Sequence, residues 1–183
     1  AHVLSLSFLV RNVKKSVGGT AGNIAYNLAM LGLPVALVAA VGHDGHEIVS
    51  RLTQLRIKRN YLRRSKLLTA AGYIMTDSAD NQIAGFYPGA MNERVKLPKV
   101  KSGDWAIIAA ENPKNMANLA RHYQKNKVRY IFDPGQVIPM LAAEEFLYGI
   151  EHSRLSIFND YEWQLVSVKI GRTIDEVVGQ GVV

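Results

Sequence analysis

The sequence predicts an α/β protein: a mainly parallel sheet with helices on both of its faces. Three observations carry that expectation. From Trp105 onward short apolar runs alternate with amphipathic stretches, the pattern of βαβ units. Val35–Val41 is wholly apolar, as a strand covered on both faces requires. Apolar residues make up 48% and charged residues 20% of the 183, which gives a sizeable core and argues against disorder.

The elements follow in order. Val3–Val10 carries Ser at alternate places and reads as a strand with one wetter face. Gly18-Gly19-Thr20-Ala21-Gly22 interrupts. Asn23–Leu31 then has the apolar spacing and alanine content of a buried helix, with Gly32 at a C-cap position and Pro34 beyond it. After the strand Val35–Val41, His46–Leu55 reads as an amphipathic helix. Ala71–Thr76 and Gln82–Tyr87 read as strands joined by the polar turn Asp77–Asn81. A strand follows at Trp105–Ala110, a helix at Asn115–Gln124 and a strand at Val128–Phe132. A helix around Ala142–Tyr148, a strand at Leu155–Phe158 and a helix at Tyr161–Val168 complete the alternation. The strands at 3–10, 71–76 and 82–87 do not alternate with helices, so a small antiparallel sheet beside the main one is expected. No repeat, low-complexity stretch or linker divides the chain, and residues 1–183 read as a single domain or part of a larger one.

Composition removes several chemistries. With no cysteine there is no disulfide, thiolate zinc site, iron–sulfur cluster or cysteine nucleophile. The longest apolar run, Leu33–Val41, is too short to span a bilayer. Ala1-His2-Val3 has neither an initiator Met nor a signal-peptide pattern, and reads as something other than a native terminus. Only His43 and His46 lie close enough to share a metal, with no third ligand in view. G-x-S-x-G is absent. The formal charge of +7 is local: Arg51, Arg56, Lys58, Arg59, Arg63, Arg64 and Lys66 lie in one stretch without an acid, and the 15 basic residues left equal the 15 acidic ones. Such a stretch is read first as the solvated face of a helix and the loop after it. The alternative is a patch for nucleic acid or an acidic partner, which would make the chain a non-catalytic binding protein.

Ligands of open α/β sheets bind beyond the carboxyl ends of the strands, and four places qualify. Gly18-Gly19-Thr20-Ala21-Gly22-Asn23 either lets backbone approach a ligand, with an amide beside it, or is a tight turn. It is neither G-x-G-x-x-G nor a Walker loop. In Gly42-His43-Asp44-Gly45, Asp44 is read as the cap of the next helix ahead of a ligand group. In Asp133-Pro134-Gly135-Gln136 the Asp can accept from sugar hydroxyls or join a metal's outer shell. In Asn159-Asp160-Tyr161-Glu162, Asn159 and Glu162 face one side of a first helical turn. They suit either Mg²⁺-bound waters and phosphate or a cap with Glu162 in the first turn.

In this order these places resemble the ribokinase-like (PfkB) family of carbohydrate and nucleoside kinases. Gly18 through Ala29, Leu31-Gly32 and Val41-Gly42-His43-Asp44-Gly45 look like its N-terminal signature, and Asn159-x-x-Glu162 matches its N-x-x-E motif. Phe86-Tyr87-Pro88-Gly89-Ala90-Met91 and Phe132-Asp133-Pro134-Gly135-Gln136 are similar to stretches of bacterial adenosine-kinase-like sugar kinases. The resemblance covers essentially the whole chain. It implies a three-layer α/β/α sandwich with a small β-sheet lid. It also implies a cytoplasmic enzyme that uses ATP and Mg²⁺ to phosphorylate a hydroxyl of a nucleoside such as adenosine, or of a sugar. Gly18, Gly19 and Asn23 would hold sugar hydroxyls, and Phe86 would be an apolar wall or lid packing. Asn159 and Glu162 would act around phosphate, with Glu162 reaching Mg²⁺ through water. The lid could pair with a second copy; nucleic acid and membrane are not implied. Two departures stand out. Thr20 replaces the Lys of the ribokinase stretch, which leans towards nucleosides. D-T-x-G-A-G-D, the family's source of the catalytic Asp, does not occur in the 183 residues, so no catalytic base is expected among them. The resemblance further implies that the family's first strand lies before Ala1 and that several of its strands and helices lie beyond Val183, so the fold is expected to be truncated at the C-terminus.

Overall fold

The computed structural model describes residue 7, residues 9–173 and residue 176. In chain order the elements are α1 (Thr20–Met30), β1 (Ala36–Val41), α2 (His46–Gln54), β2 (Lys58–Arg64), β3 (Ala71–Thr76) and β4 (Gln82–Tyr87). They continue as β5 (Trp105–Ile108), α3 (Pro113–Lys125), β6 (Arg129–Phe132), α4 (Ala143–Glu151), β7 (Leu155–Ser156) and α5 (Asp160–Ile170). Two 3-10 turns lie at Gly89–Asn92 and Gly135–Met140.

Strands β5, β6 and β7 pair side by side and all parallel, with Ile108 opposite Phe132 and Phe132 opposite Ser156. Parallel pairing needs a long crossover, and α3 and α4 supply it. Alternate residues of β6, Tyr130 and Phe132, point into the core. There they meet Met116, Leu119 and Tyr123 of α3, Phe146 and Ile150 of α4, and Val166 of α5. The Tyr130 hydroxyl donates to the Gly149 carbonyl at 2.9 Å, so the buried phenol is satisfied. Phe132 lies against α4 at Gly149, where a β-carbon would come 2.6 Å from its Cζ.

Strand β1 pairs parallel with β2, with an irregularity between Ala36 and Val38. Ala25 of α1, Leu37, Leu52 of α2 and Ile57 form a second buried cluster there, and Val38 packs against the first one. Helix α1 closes at Gly32 (φ 77), a conformation that only glycine adopts freely, while the Leu33 amide donates to the Leu28 carbonyl at 3.1 Å.

Two expectations are corrected. Most of the basic segment is not the face of a helix and its loop: Lys58–Arg64 is strand β2. Leu62 packs on the second cluster and Tyr61 is half-buried, while Lys58, Arg59 and Arg64 stay exposed. Among the described residues β2 pairs only with β1, and cations on an edge strand oppose further pairing. The strand expected at 3–10 falls partly outside the described residues, and Ser7, Leu9 and Val10 belong to no strand.

Strands β3 and β4 form an antiparallel hairpin, in register from Ala71 opposite Tyr87 to Thr76 opposite Gln82. At its tip the Asp77 carboxylate accepts from the amides of Ala79 (2.8 Å) and Asn81 (2.9 Å). Every residue of β4 and all but the first of β3 are exposed. Among the described residues no helix is long and apolar enough to cross a membrane.

Candidate functional site

Beyond the carboxyl ends of β5, β6 and β7 three segments converge: Ala109–Asn112, Asp133–Gly135 and Asn159–Glu162. The sheet sets their positions, for the Asp133 amide donates to the Ile108 carbonyl at 2.9 Å and the Ile157 amide to that of Phe132 at 3.0 Å. Gly135 turns the chain there with φ 48, and a β-carbon on it would lie 3.7 Å from Ala110 Cβ. That same point is 4.0 Å from both Asp133 Oδ1 and Glu162 Oε1. Two carboxylates thus share one small space. Burial, and then the charge of Glu162, push the Asp133 carboxyl above its ordinary value.

Asn159 and Glu162 form a reciprocal cap on α5. Asn159 Oδ1 accepts from the Glu162 amide at 2.8 Å, and Glu162 Oε2 accepts from the Asn159 amide at 3.0 Å. The capping reading of this motif is therefore realised in full. It leaves Glu162 Oε1 on the side of Asp133 and Gly135. A hard divalent cation takes oxygen ligands and keeps several waters, so this pair of carboxylate oxygens fits Mg²⁺.

Glu111 is the residue that sequence reasoning passed over. It follows β5 as Asp133 follows β6, and the rule that singled out residues after strands would have found it. Burial raises its carboxyl, against hydrogen bonds from the Asn112 amide and the Asn115 side chain. The Asn112 side chain caps α3 by accepting from the Lys114 amide at 3.0 Å, with Pro113 in the first turn.

Gly18, Gly19 and Asn23 stand at the start of α1. Gly19 (φ 96) is its N-cap without a side-chain bond, and around Gly18, Gly19 and Gly22 nothing comes within 4 Å of where a β-carbon would sit. Asn23 is exposed; its backbone carbonyl accepts from the Asn27 side chain at 2.8 Å. Phe86 lies on the hairpin opposite Gly72 and is 62% exposed, with an open side to cover. Among the described residues no hydrogen bond joins Gly18–Asn23 or Phe86 to Asn159–Glu162.

Asp44 does not cap α2. The N-cap is Gly45, without a side-chain bond, and Asp44 Oδ1 instead accepts from the Thr69 amide (2.8 Å) and hydroxyl (2.7 Å). Those two bonds, the hydroxyl's first, hold its carboxyl below the ordinary value.

The family model for pfkB family carbohydrate kinases matches residues 3–181. The chain belongs to that family. It is 30% identical over 176 residues to a nucleoside kinase of Methanocaldococcus jannaschii, covering 93% of this chain and 57% of that protein. It is 26% identical over 190 residues to an ATP-dependent ribose-1-phosphate kinase of Halopiger xanaduensis, covering 92% of this chain and 64% of the other. Among solved structures, Burkholderia thailandensis nucleoside kinase in complex with inosine superposes with a TM-score of 0.84 at 32% identity. That match covers 96% of this chain and 60% of the other. The M. jannaschii nucleoside kinase superposes at 0.83 with 27% identity, over 94% and 58%. This pfkB-family chain therefore has the ribokinase-like α/β fold and spans about three fifths of the length of these relatives.

Proposed function

We propose that these residues form the acceptor-binding side and part of the phosphate side of an ATP- and Mg²⁺-dependent kinase. It phosphorylates a hydroxyl of a nucleoside, adenosine first, or of a sugar. One observation carries the reading: Glu162 closes α5 with one carboxylate oxygen and turns the other toward Asp133 and Gly135, beyond the carboxyl end of the parallel sheet. The nucleoside preference is supported by the Burkholderia relative, whose complex holds inosine, and by Thr20 in the glycine stretch.

In this reading Gly18, Gly19 and Asn23 hold the sugar hydroxyls: the glycines let backbone come close, and the Asn amide both donates and accepts. Phe86 provides an apolar wall, and the β3–β4 hairpin closes as a lid whose other face pairs with a second copy. Asn159 orients Glu162, and Glu162 with Asp133 holds Mg²⁺ through water beside the ATP phosphates. Bound there, Mg²⁺ supplies neutralisation of phosphate charge. In the transfer the acceptor hydroxyl oxygen bonds to the γ-phosphorus as its bond to the β–γ bridging oxygen breaks, and ADP leaves. The hydroxyl proton goes to a base that none of the 183 residues supplies, since D-T-x-G-A-G-D is not among them.

The test has two arms. Calorimetric titration of residues 1–183 with adenosine, inosine, ribose and fructose is expected to give saturable binding of at least one, weakened by Asn23→Ala. Phosphate transfer from ATP is expected only from a chain extended to the length of the relatives. No binding of any of the four overturns the acceptor reading, and turnover by residues 1–183 overturns the statement about the base.

A further inference from the structure

The hairpin β3–β4 stands exposed, yet both of its legs end at one point of the body. Thr69, two residues before β3, is held by the turn that follows β1. Its hydroxyl accepts from the Gly42 amide at 3.0 Å and donates to Asp44 Oδ1 at 2.7 Å, and its own amide donates to that oxygen at 2.8 Å. The His43 amide donates to the Leu67 carbonyl at 3.1 Å. The other leg returns at Gly89–Ala90, where the Ala90 amide donates to the Leu68 carbonyl at 2.9 Å.

The glycines here explain themselves by contact. A β-carbon on Gly42 would lie 2.2 Å from the Thr69 nitrogen and 2.5 Å from the Leu67 oxygen, and one on Gly89 2.3 Å from the Leu68 oxygen. Three backbone segments therefore touch with no side chain between them, and Gly42, Gly45, Gly89 and Ala90 are buried. Asp44 is exposed and caps no helix, so its bonds to Thr69 are what its carboxylate does.

We propose that Asp44 is a positioning residue: through Thr69 it fixes the root of the hairpin to the end of β1 and so sets where the hairpin points. Only the consequence for substrate rests on the kinase reading, in which this hairpin is the lid. The anchor itself is a matter of geometry. With Thr69→Val the hydroxyl's two bonds are lost while shape is kept, and the hairpin samples orientations that the anchor excludes. Losing the two together, one of them to a carboxylate, raises the detached population at least about tenfold.

The chain has no cysteine, so Ser78→Cys at the hairpin tip and Lys125→Cys at the end of α3 take two spin labels unambiguously. Pulsed dipolar spectroscopy on the 183-residue chain then reads the distance between tip and body. A single narrow distribution is expected with Asp44 and Thr69 intact. Thr69→Val and Asp44→Ala, which leaves no acceptor for either Thr69 donor, should broaden it and add a second distance, while Thr69→Ser, which keeps both hydroxyl bonds, should restore the narrow one. Asp104→Ala serves as the control. It removes an exposed carboxylate that accepts from the Lys101 amide at 2.8 Å, away from the hairpin, and should leave the distances unchanged. Narrow, parent-like distances in both Thr69→Val and Asp44→Ala overturn the proposal, as does equal broadening in Asp104→Ala. Thermal midpoints of the same samples separate loosening of the hairpin from unfolding of the body. If no nucleoside or sugar binds any variant, the kinase reading fails while the distances still decide the anchor.

Discussion

Replacing Gly149 by Ala sets two effects of opposite sign against each other. Gly149 lies inside α4, where Ala in place of Gly favours the helix by about 1 kcal/mol. The new β-carbon, however, would stand 2.6, 2.8 and 2.9 Å from Cζ, Cε2 and Cε1 of Phe132. That ring is 1% exposed and packs edge-on against Phe146 at 5.9 Å between centroids, so it has nowhere to withdraw. Overpacking of such a site costs about 3 kcal/mol, the upper end of its usual range. The clash wins, with a net loss of about 2 kcal/mol. For a chain of this size that lowers the midpoint of thermal unfolding by about 6 °C. Urea unfolding followed by the fluorescence of Trp105 and Trp163 measures the loss. The decisive comparison is a double-mutant cycle with Phe132→Leu, which removes the distal ring atoms that clash. In that background Gly149→Ala should be neutral or favourable, giving a coupling of about 2–3 kcal/mol between the two positions. Stabilisation by Gly149→Ala alone, or simple additivity, would falsify the packing argument.

Asn159→Ala removes the side-chain half of the α5 cap and should destabilise by about 1 kcal/mol, read from urea midpoints. Asn159→Asp, which keeps an acceptor for the Glu162 amide, should recover most of it. Glu111 gives a pH dependence. Its folded carboxyl is raised above its ordinary 4.5 by burial, so just above that pH the unfolded chain has lost a proton that the folded one keeps. Stability should therefore fall as pH rises from 4.5 through the folded value, and Glu111→Gln should flatten that part of the profile. A profile unchanged by the substitution would count against the burial argument. Asp77 at the hairpin tip works the other way. Its carboxyl is held below 3.8, by the Asn81 side chain first and then by backbone amides, so its contribution is present above that value and lost as pH falls through the lower folded one. Amide exchange at Ala79 and Asn81 should be protected at pH 5 and unprotected in Asp77→Ala.

Much of this was legible in the residues. The alternating run from Trp105 to Ile170 reads correctly because short, mostly apolar strands such as Trp105–Ile108 and Tyr130–Phe132 alternate with longer helices, of which α3 carries a clear polar stripe. The hairpin reads equally well, since Asp77–Asn81 is turn chemistry between two runs of matched length. Strand β2 did not read, because Tyr61 and Leu62 do its packing while five of its seven residues are polar or charged edge positions with no period of two. Asp44 was misread for a related reason. A carboxylate before a helix is usually its cap, and nothing local reveals that Thr69, twenty-five residues on, offers it two donors. Glu111 stands after β5 with no family motif around it, and its burial is a tertiary property that the local sequence does not display. The neighbourhood of Asp133 and Glu162 is a tertiary fact of the parallel register, visible in sequence only as two polar residues after two strands.

In the proposed site, the cap that holds Glu162 has a thermodynamic consequence. A free surface glutamate loses rotamer freedom when it engages a ligand, at a cost of up to about 2 kcal/mol. Here the bond from the Asn159 amide to Oε2 already selects the rotamer when α5 forms. Oε1 is therefore aimed before any ligand arrives, and ordering this side chain is a cost of folding rather than of binding.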